Sequence, residues 1–306
     1  LEVSARKFFQ TGVPNSTVYT NHLVLIVTFV GAMITAREKK HLSLALDLKL
    51  KRSVRSWIDI ANAFIATAIT TAFALSSFSF ALNAFAPGRK LGLFPIRGVA
   101  LVMFVGFTVM VIRFIIAAPG KGKGKLLAAL GIPFGIFLTI EPIVNVLLYY
   151  FDEVPGFLDK MLEVFTASYA VIAYPIIILL ILSAVFGQRI FVVLGGIGYI
   201  LFARIAEPLE VVPNEAYSML ISHMIPAIPL FTIAGFILSE SKAGERLVRL
   251  FKALFSWFPG GLAIMAILVC TFFTTFTGAS GVTILALGAL LSYVLVQGKY
   301  KQRFSY

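Results

Sequence analysis

Cysteine is almost missing from this 306-residue chain, where Cys270 stands alone. That excludes an intrachain disulfide, a CxxC redox pair and a thiolate metal cage. Charge is scarce as well, at 13% of residues, and acid is scarcest, with 14 Asp and Glu against 26 Lys and Arg. The three histidines, His22, His41 and His223, have no metal-ligand spacing and read as interfacial or core polar residues. No paired carboxylates, His-rich motif or Gly-x-Ser-x-Gly element occurs in an apolar run, and Ser, Asp and His form no recognisable triad. An intramembrane enzyme therefore lacks its groups. The chain opens at Leu1 without Met, basic n-region or cleavage site, so no signal peptide is visible, and it reads as a fragment cut at both ends.

What is present is apolar. Hydrophobic residues make up 59% of the chain, and the mean hydropathy of +0.95 exceeds what a water-exposed surface tolerates. The fold class is all-α, a polytopic inner-membrane protein, in which about eight or nine spans of about 20 residues fit. The formal net charge of +12 falls between apolar runs rather than on one face. It is loop charge in contact with lipid headgroups, and no nucleic acid partner is expected.

The loops set the sidedness. After the run from Leu23 to Ala36 come Arg37, Lys39, Lys40, Lys49, Lys51, Arg52 and Arg55, which make this loop cytoplasmic. Ile58 to Phe85 and Pro95 to Ala118 form the next two spans, and Pro119 to Lys125, rich in Gly and Lys, is an inside linker. A fourth span, Leu126 to Tyr150, exits into outside acids Asp152, Glu153, Asp159 and Glu163. Two shorter spans, Tyr169 to Phe186 and Ile190 to Ala203, turn inside at Gly187-Gln188-Arg189. Gly195, Gly196 and Gly198 suit close helix approach. Glu207, Glu210 and Glu215 mark another outside loop, and Ile225 to Ser239 crosses inward. A basic amphipathic helix around Lys242 to Lys252 follows, with an apolar stripe of Leu247, Leu250, Phe251 and Leu254. It lies on the interface or serves as a solvated connector.

From Gly260 to Gln297 run 38 uncharged residues, about 57 Å if helical, too long for one crossing. Near the midpoint Thr274-Thr275-Phe276-Thr277-Gly278-Ala279-Ser280-Gly281 is small and rich in hydroxyls, with glycines that weaken a helix. Basic residues flank both ends, so the segment goes in and returns. Irregular backbone at membrane depth is tolerated only where protein or an aqueous cavity meets it. There its carbonyls and hydroxyls suit a cation and its amides an anion. An ordinary hairpin of two full spans with a Thr-Gly turn remains the alternative. Glu141, the one acid deep in an apolar run, reads as structural, with Pro142 ending its helix near the interface.

Pro226-Ala227-Ile228-Pro229-Leu230-Phe231-Thr232-Ile233-Ala234-Gly235, Gly244-Glu245-Arg246-Leu247, Pro259-Gly260-Gly261-Leu262-Ala263 and Phe272 to Thr283 occur in an order and spacing that resemble the large membrane subunit of tripartite ATP-independent periplasmic (TRAP) transporters. Gly31-Ala32, Ala36-Arg37-Glu38 and His41 resemble its small membrane subunit. The resemblance implies a fused polypeptide in three parts. Residues 1–120 are small-subunit-like scaffold helices, 121–151 a linker with a connecting span, and 152–306 the N-terminal part of the large subunit with its first helical hairpin.

It further implies an elevator-type secondary transporter of the bacterial inner membrane with a re-entrant hairpin. Such a carrier is driven by Na⁺, has no organic cofactor, and is fed with organic anions such as carboxylates or sialic acids by a periplasmic substrate-binding protein. Thr277, Gly278, Ala279, Ser280, Gly281 and Thr283 would then be the ion and substrate site, with Na⁺ near Thr277 and Ser280. The second, inverted half expected of that subunit is not in this sequence, so the chain alone is expected not to transport. Another secondary transporter and a non-transporting scaffold are the competing readings. The scaffold offers no reason for the Thr-Gly break.

Overall fold

The computed structural model describes all residues except 1–6, 9, 13–14, 39–40, 46–50, 93, 121, 152–154, 206, 241–242, 256, 258, 278–286, 289–290, 297, 299 and 301–306. The chain divides into two compact units, Leu1–Ile221 and Ser222–Tyr306.

In the first unit, α1 (Ser16–Glu38), α2 (Arg52–Asn83) and α3 (Ile96–Ala117) are each long and apolar enough to cross a membrane. The helix α1 begins a full two turns before the apolar run because its polar entry finds partners both within the helix and far along the chain. His22 Nδ1 lies 2.8 Å from Val18 O and its Nε2 2.8 Å from Tyr217 Oη. Helix α2 is central, with 78% of its most apolar window buried. Its buried face is built of small residues, among them Ala66, Thr67, Ala68, Ala72, Ser76 and Ser79, and these let neighbouring helices approach closely. Since lipid is as apolar as a leucine side chain, this contact is held by packing rather than by exclusion of water.

The fourth span is not one helix. It is α4 (Lys123–Ala129), α5 (Gly131–Phe137) and α6 (Ile140–Tyr150), with a 60° bend before α6. Pro142 does not end a helix. It stands in the first turn of α6, where a missing N–H costs nothing, and its ring would clash with the residue 138 carbonyl of a continuous helix. Thr139 takes a non-helical φ of −122° at the break, and its hydroxyl donates to Gly135 O at 2.9 Å. Gly131 and Gly135 form a small-xxx-small seam against α2. A Cβ would stand 2.6 Å from Phe64 O at Gly131 and 2.5 Å from Ala68 O at Gly135.

Helix α7 (Gly156–Val185) takes Asp159 and Glu163, expected in a loop, into its first turns and bends by 62° near Tyr169. It is followed by α8 (Ile190–Arg204) and α9 (Val211–Leu220). Gly195 and Gly196 sit at close approaches, where a Cβ would meet Phe73 at 2.7 Å and Leu180 at 3.1 Å respectively, whereas Gly198 faces open space. The turn between α7 and α8 is not a bare loop. Its residues Phe186–Arg189 form a strand, β4, antiparallel to β1 (Ser43–Ala45), with Ser43 opposite Arg189. A two-residue ladder, β2 (Lys90–Leu91) with β3 (Phe94–Pro95), joins α2 to α3 on the other side.

The second unit contains α10 (Ala227–Glu240), α11 (Ala243–Phe255) and α12 (Gly261–Thr277). On the amphipathic α11 the buried contact is made by Val248, with Phe251 and Phe255 beside it, while Leu250 and Leu254 remain exposed. The apolar stripe is thus one broad face, buried along its Val248 edge and exposed along its Leu250 edge. Among the described residues three helices qualify as spans, or five when each bent pair counts as one; α8 and α12 are shorter apolar helices.

Candidate functional site

Gly260 takes a φ of +87°, and its carbonyl accepts the first amides of α12, from Ala263 at 3.0 Å and Ile264 at 3.3 Å. The helix runs uncharged for 17 residues to Thr277, about 25 Å. Thr271 and Thr275 donate to Ile267 O and Thr271 O, each at 2.8 Å, so their hydroxyls are spent within the helix. Met265, Val269 and Phe273 are buried against Leu287, Leu291 and Val294 of the returning limb. A Cβ on Gly298 would collide with the Leu262 side chain. The start and the end of the long apolar segment therefore lie side by side, so the chain goes in and comes back. Of the predicted site, Thr277 closes the described part of α12; Gly278, Ala279, Ser280, Gly281 and Thr283 lie outside the described residues.

A polar cleft that sequence reasoning missed opens at the outer ends of α2 and α6. It has a volume of about 600 Å³ and is lined by Asn83, Asn145, Tyr149, Glu210 and Asn214 among others. Glu210 stands at the N-cap of α9 without capping it. Instead its Oε1 accepts from Ser79 Oγ and from Asn145 Nδ2, each at 2.7 Å. The second carboxylate oxygen is buried with no hydrogen-bond partner among the described residues. Glu141 lies nearby and takes the Leu209 amide. Deeper, Ser76 Oγ and Tyr199 Oη share a 2.8 Å hydrogen bond. One signal for this network was available: Ser76 and Ser79, with Asn83 after them, recur at helical spacing on α2.

A second cleft, of about 510 Å³, opens at the inner ends of α2 and α3, lined by His41, Ser43, Asp59, Asn62, Phe114, Ile116 and Arg189 among others. Its frame is rigid. Gln188 is buried and donates to Asn62 O at 2.8 Å, Asn62 Nδ2 donates to Phe186 O at 3.1 Å, and Ile190 N donates to Leu42 O at 3.0 Å. The Arg189 guanidinium carbon lies 4.0 Å from the Phe114 ring centre, a cation–π contact. Burial pushes Arg189 down to about 10. Burial first, then the charge of Arg189, lowers His41 to about 4, so it is neutral at pH 7.

Comparison with known proteins divides the chain in two. Residues 1–120 match the family described as tripartite ATP-independent periplasmic transporters, DctQ component, and residues 125–306 match the tripartite ATP-independent periplasmic transporter, DctM component. The chain is similar to the C4-dicarboxylate TRAP transporter large permease protein DctM of Vibrio cholerae, at 33% identity over 26% of this chain and 17% of that protein. It is similar to the isethionate TRAP transporter permease protein DctMQ of Oleidesulfovibrio alaskensis, at 31% over 40% of this chain and 21% of that protein. A third relative is the ectoine TRAP transporter large permease protein TeaC of Halomonas elongata, at 24% over 44% and 29%. The matched stretches thus span between 17% and 29% of these relatives' own lengths.

Proposed function

The chain belongs to the tripartite ATP-independent periplasmic transporter family, and we propose that it is the fused small and large membrane part of a Na⁺-driven importer of small organic anions. It is a multi-pass inner-membrane protein and a transporter component rather than an enzyme. We divide it into small-subunit-like helices over 1–120, a linker and connecting span over 121–151, and large-subunit-like helices over 152–306, the large-subunit match itself starting at residue 125. C4-dicarboxylates and isethionate, the solutes named for two relatives, are both organic acids, and a periplasmic substrate-binding protein delivers the solute.

The observation that carries this reading is the return of the apolar segment, with Gly298 beside Leu262. The 38 uncharged residues from Gly260 to Gln297 are too many for one crossing and too few for two spans of about 20 residues with a turn between them, which supports a tip inside the bilayer. An interruption of the helix at that depth leaves carbonyls beyond the intrahelical ladder. Oxygen donors of this kind fit a hard cation such as Na⁺, with the hydroxyls of Thr277 and Ser280 alongside. Gly278, Ala279, Gly281 and Thr283 complete the proposed site as the anion's partners. Movement of this hairpin as part of an elevator carries both across.

The test is uptake of labelled C4-dicarboxylate into proteoliposomes holding this chain as part of a full-length transporter, with both halves of the large subunit, together with its periplasmic partner. Uptake is expected under an inward Na⁺ gradient and lost when K⁺ replaces Na⁺. Uptake indifferent to Na⁺ overturns the coupling; absence of uptake for every organic acid tried favours a scaffold.

A further inference from the structure

We propose that the inner cleft around Arg189 holds the phosphate of an anionic phospholipid from the cytoplasmic leaflet. Its frame joins the segment before α2 to the turn between α7 and α8, and it is independent of the transport site. Among the described residues no carboxylate pairs with Arg189; its neighbour is the Phe114 ring. A cation withdrawn from water without a counter-charge is costly, and a bound anion removes that cost. Asp59, across the cleft, is exposed rather than folded against the guanidinium.

The surroundings select a lipid over a soluble phosphate. The cleft sits where α2 begins and α3 ends, the depth of the inner headgroups by the charge-based sidedness. Arg52 and Arg55, both exposed, stand seven and four residues before Asp59 on one face of α2 and add positive charge to this end of the helix. Basic pockets between helices on this side of a membrane suit lipid headgroups. From the cleft wall at Ile116 an apolar stripe continues along α3 through Ile112 to Val105, each about half exposed at 54%, 52% and 50%. That stripe gives the acyl chain of the same lipid a track, which a free phosphate would not need.

Native mass spectrometry of the intact chain, titrated with dioleoyl phosphatidylglycerol or dioleoyl phosphatidylcholine, tests this. The first phosphatidylglycerol is expected to bind about tenfold more tightly than phosphatidylcholine, Arg189→Gln to erase the preference, and Arg189→Lys to keep most of it. Asp59→Asn, which removes a repelling charge and leaves the fold intact, is expected to tighten phosphatidylglycerol binding about fivefold. Equal binding of the two lipids, an unchanged preference in Arg189→Gln, or no gain in Asp59→Asn overturns the proposal. Displacement of the lipid by millimolar inorganic phosphate or glycerol 3-phosphate overturns the lipid as the source of the phosphate.

Discussion

Ser79 on α2 donates a 2.7 Å hydrogen bond to Glu210, 131 residues further along the chain. With the matching bond from Asn145, one carboxylate ties three helices together at the outer ends of the bundle. Glu210→Ala leaves two donors unsatisfied and is expected to cost about 1–3 kcal/mol, whereas Glu210→Gln keeps an acceptor and costs less. Thermal unfolding in detergent orders the three proteins; equal midpoints would show that the bonds contribute nothing.

The glycine seam of α5 predicts a sharp contrast. At Gly135 an added methyl faces the Ala68 carbonyl at 2.5 Å, and backbone cannot give way as a side chain can. Gly135→Ala is therefore expected to lose about 1–3 kcal/mol, and Gly198→Ala, which meets nothing within 4 Å, to match the parent within error in the same unfolding assay.

His41 makes stability depend on pH. Its folded value, about 4, lies below the ordinary 6.5, so between these values the unfolded chain binds more protons. Stability is fully present above pH 6.5, declines as pH falls toward 4 and then levels off. In melting curves from pH 4 to 8, His41→Phe is expected to remove that slope; an unchanged slope assigns it elsewhere.

A cysteine pair tests the return of the apolar segment. In a Cys270→Ser background, Leu262→Cys with Gly298→Cys is expected to cross-link under mild oxidation, because the two positions touch. One continuous helix would hold them about 54 Å apart and give no product.

For the proposed ion site, Thr277→Val and Ser280→Ala each remove one oxygen ligand. Either change is expected to raise the Na⁺ concentration for half-maximal uptake about tenfold, the equivalent of about 1.4 kcal/mol. Uptake with unaltered Na⁺ dependence in both variants would move the ion elsewhere.

Uninterrupted apolar length was easy to read, which is why α3 begins and ends within one residue of where hydropathy places it and α2 ends within two, although α2 starts six residues early, at Arg52. Partnership at a distance was not. The entry of α1 looks too polar for a helix until Tyr217 stands beside His22. The break at Thr139 hides in a run as apolar as its neighbours, and only the clash of Pro142 with the turn before it betrays the bend. Glu210 looked like loop charge because nothing local to it shows that Ser79 and Asn145 converge there. For the Thr277 to Gly281 site, the sequence supplied composition and position, and the structure adds that the limbs leading to it run together.

The β1–β4 ladder couples a stretch matching one component to a turn matching the other. Backbone pairing at this point gives the two stretches a link besides the covalent Pro119–Lys125 connection, so cohesion between them does not rest on that connection alone.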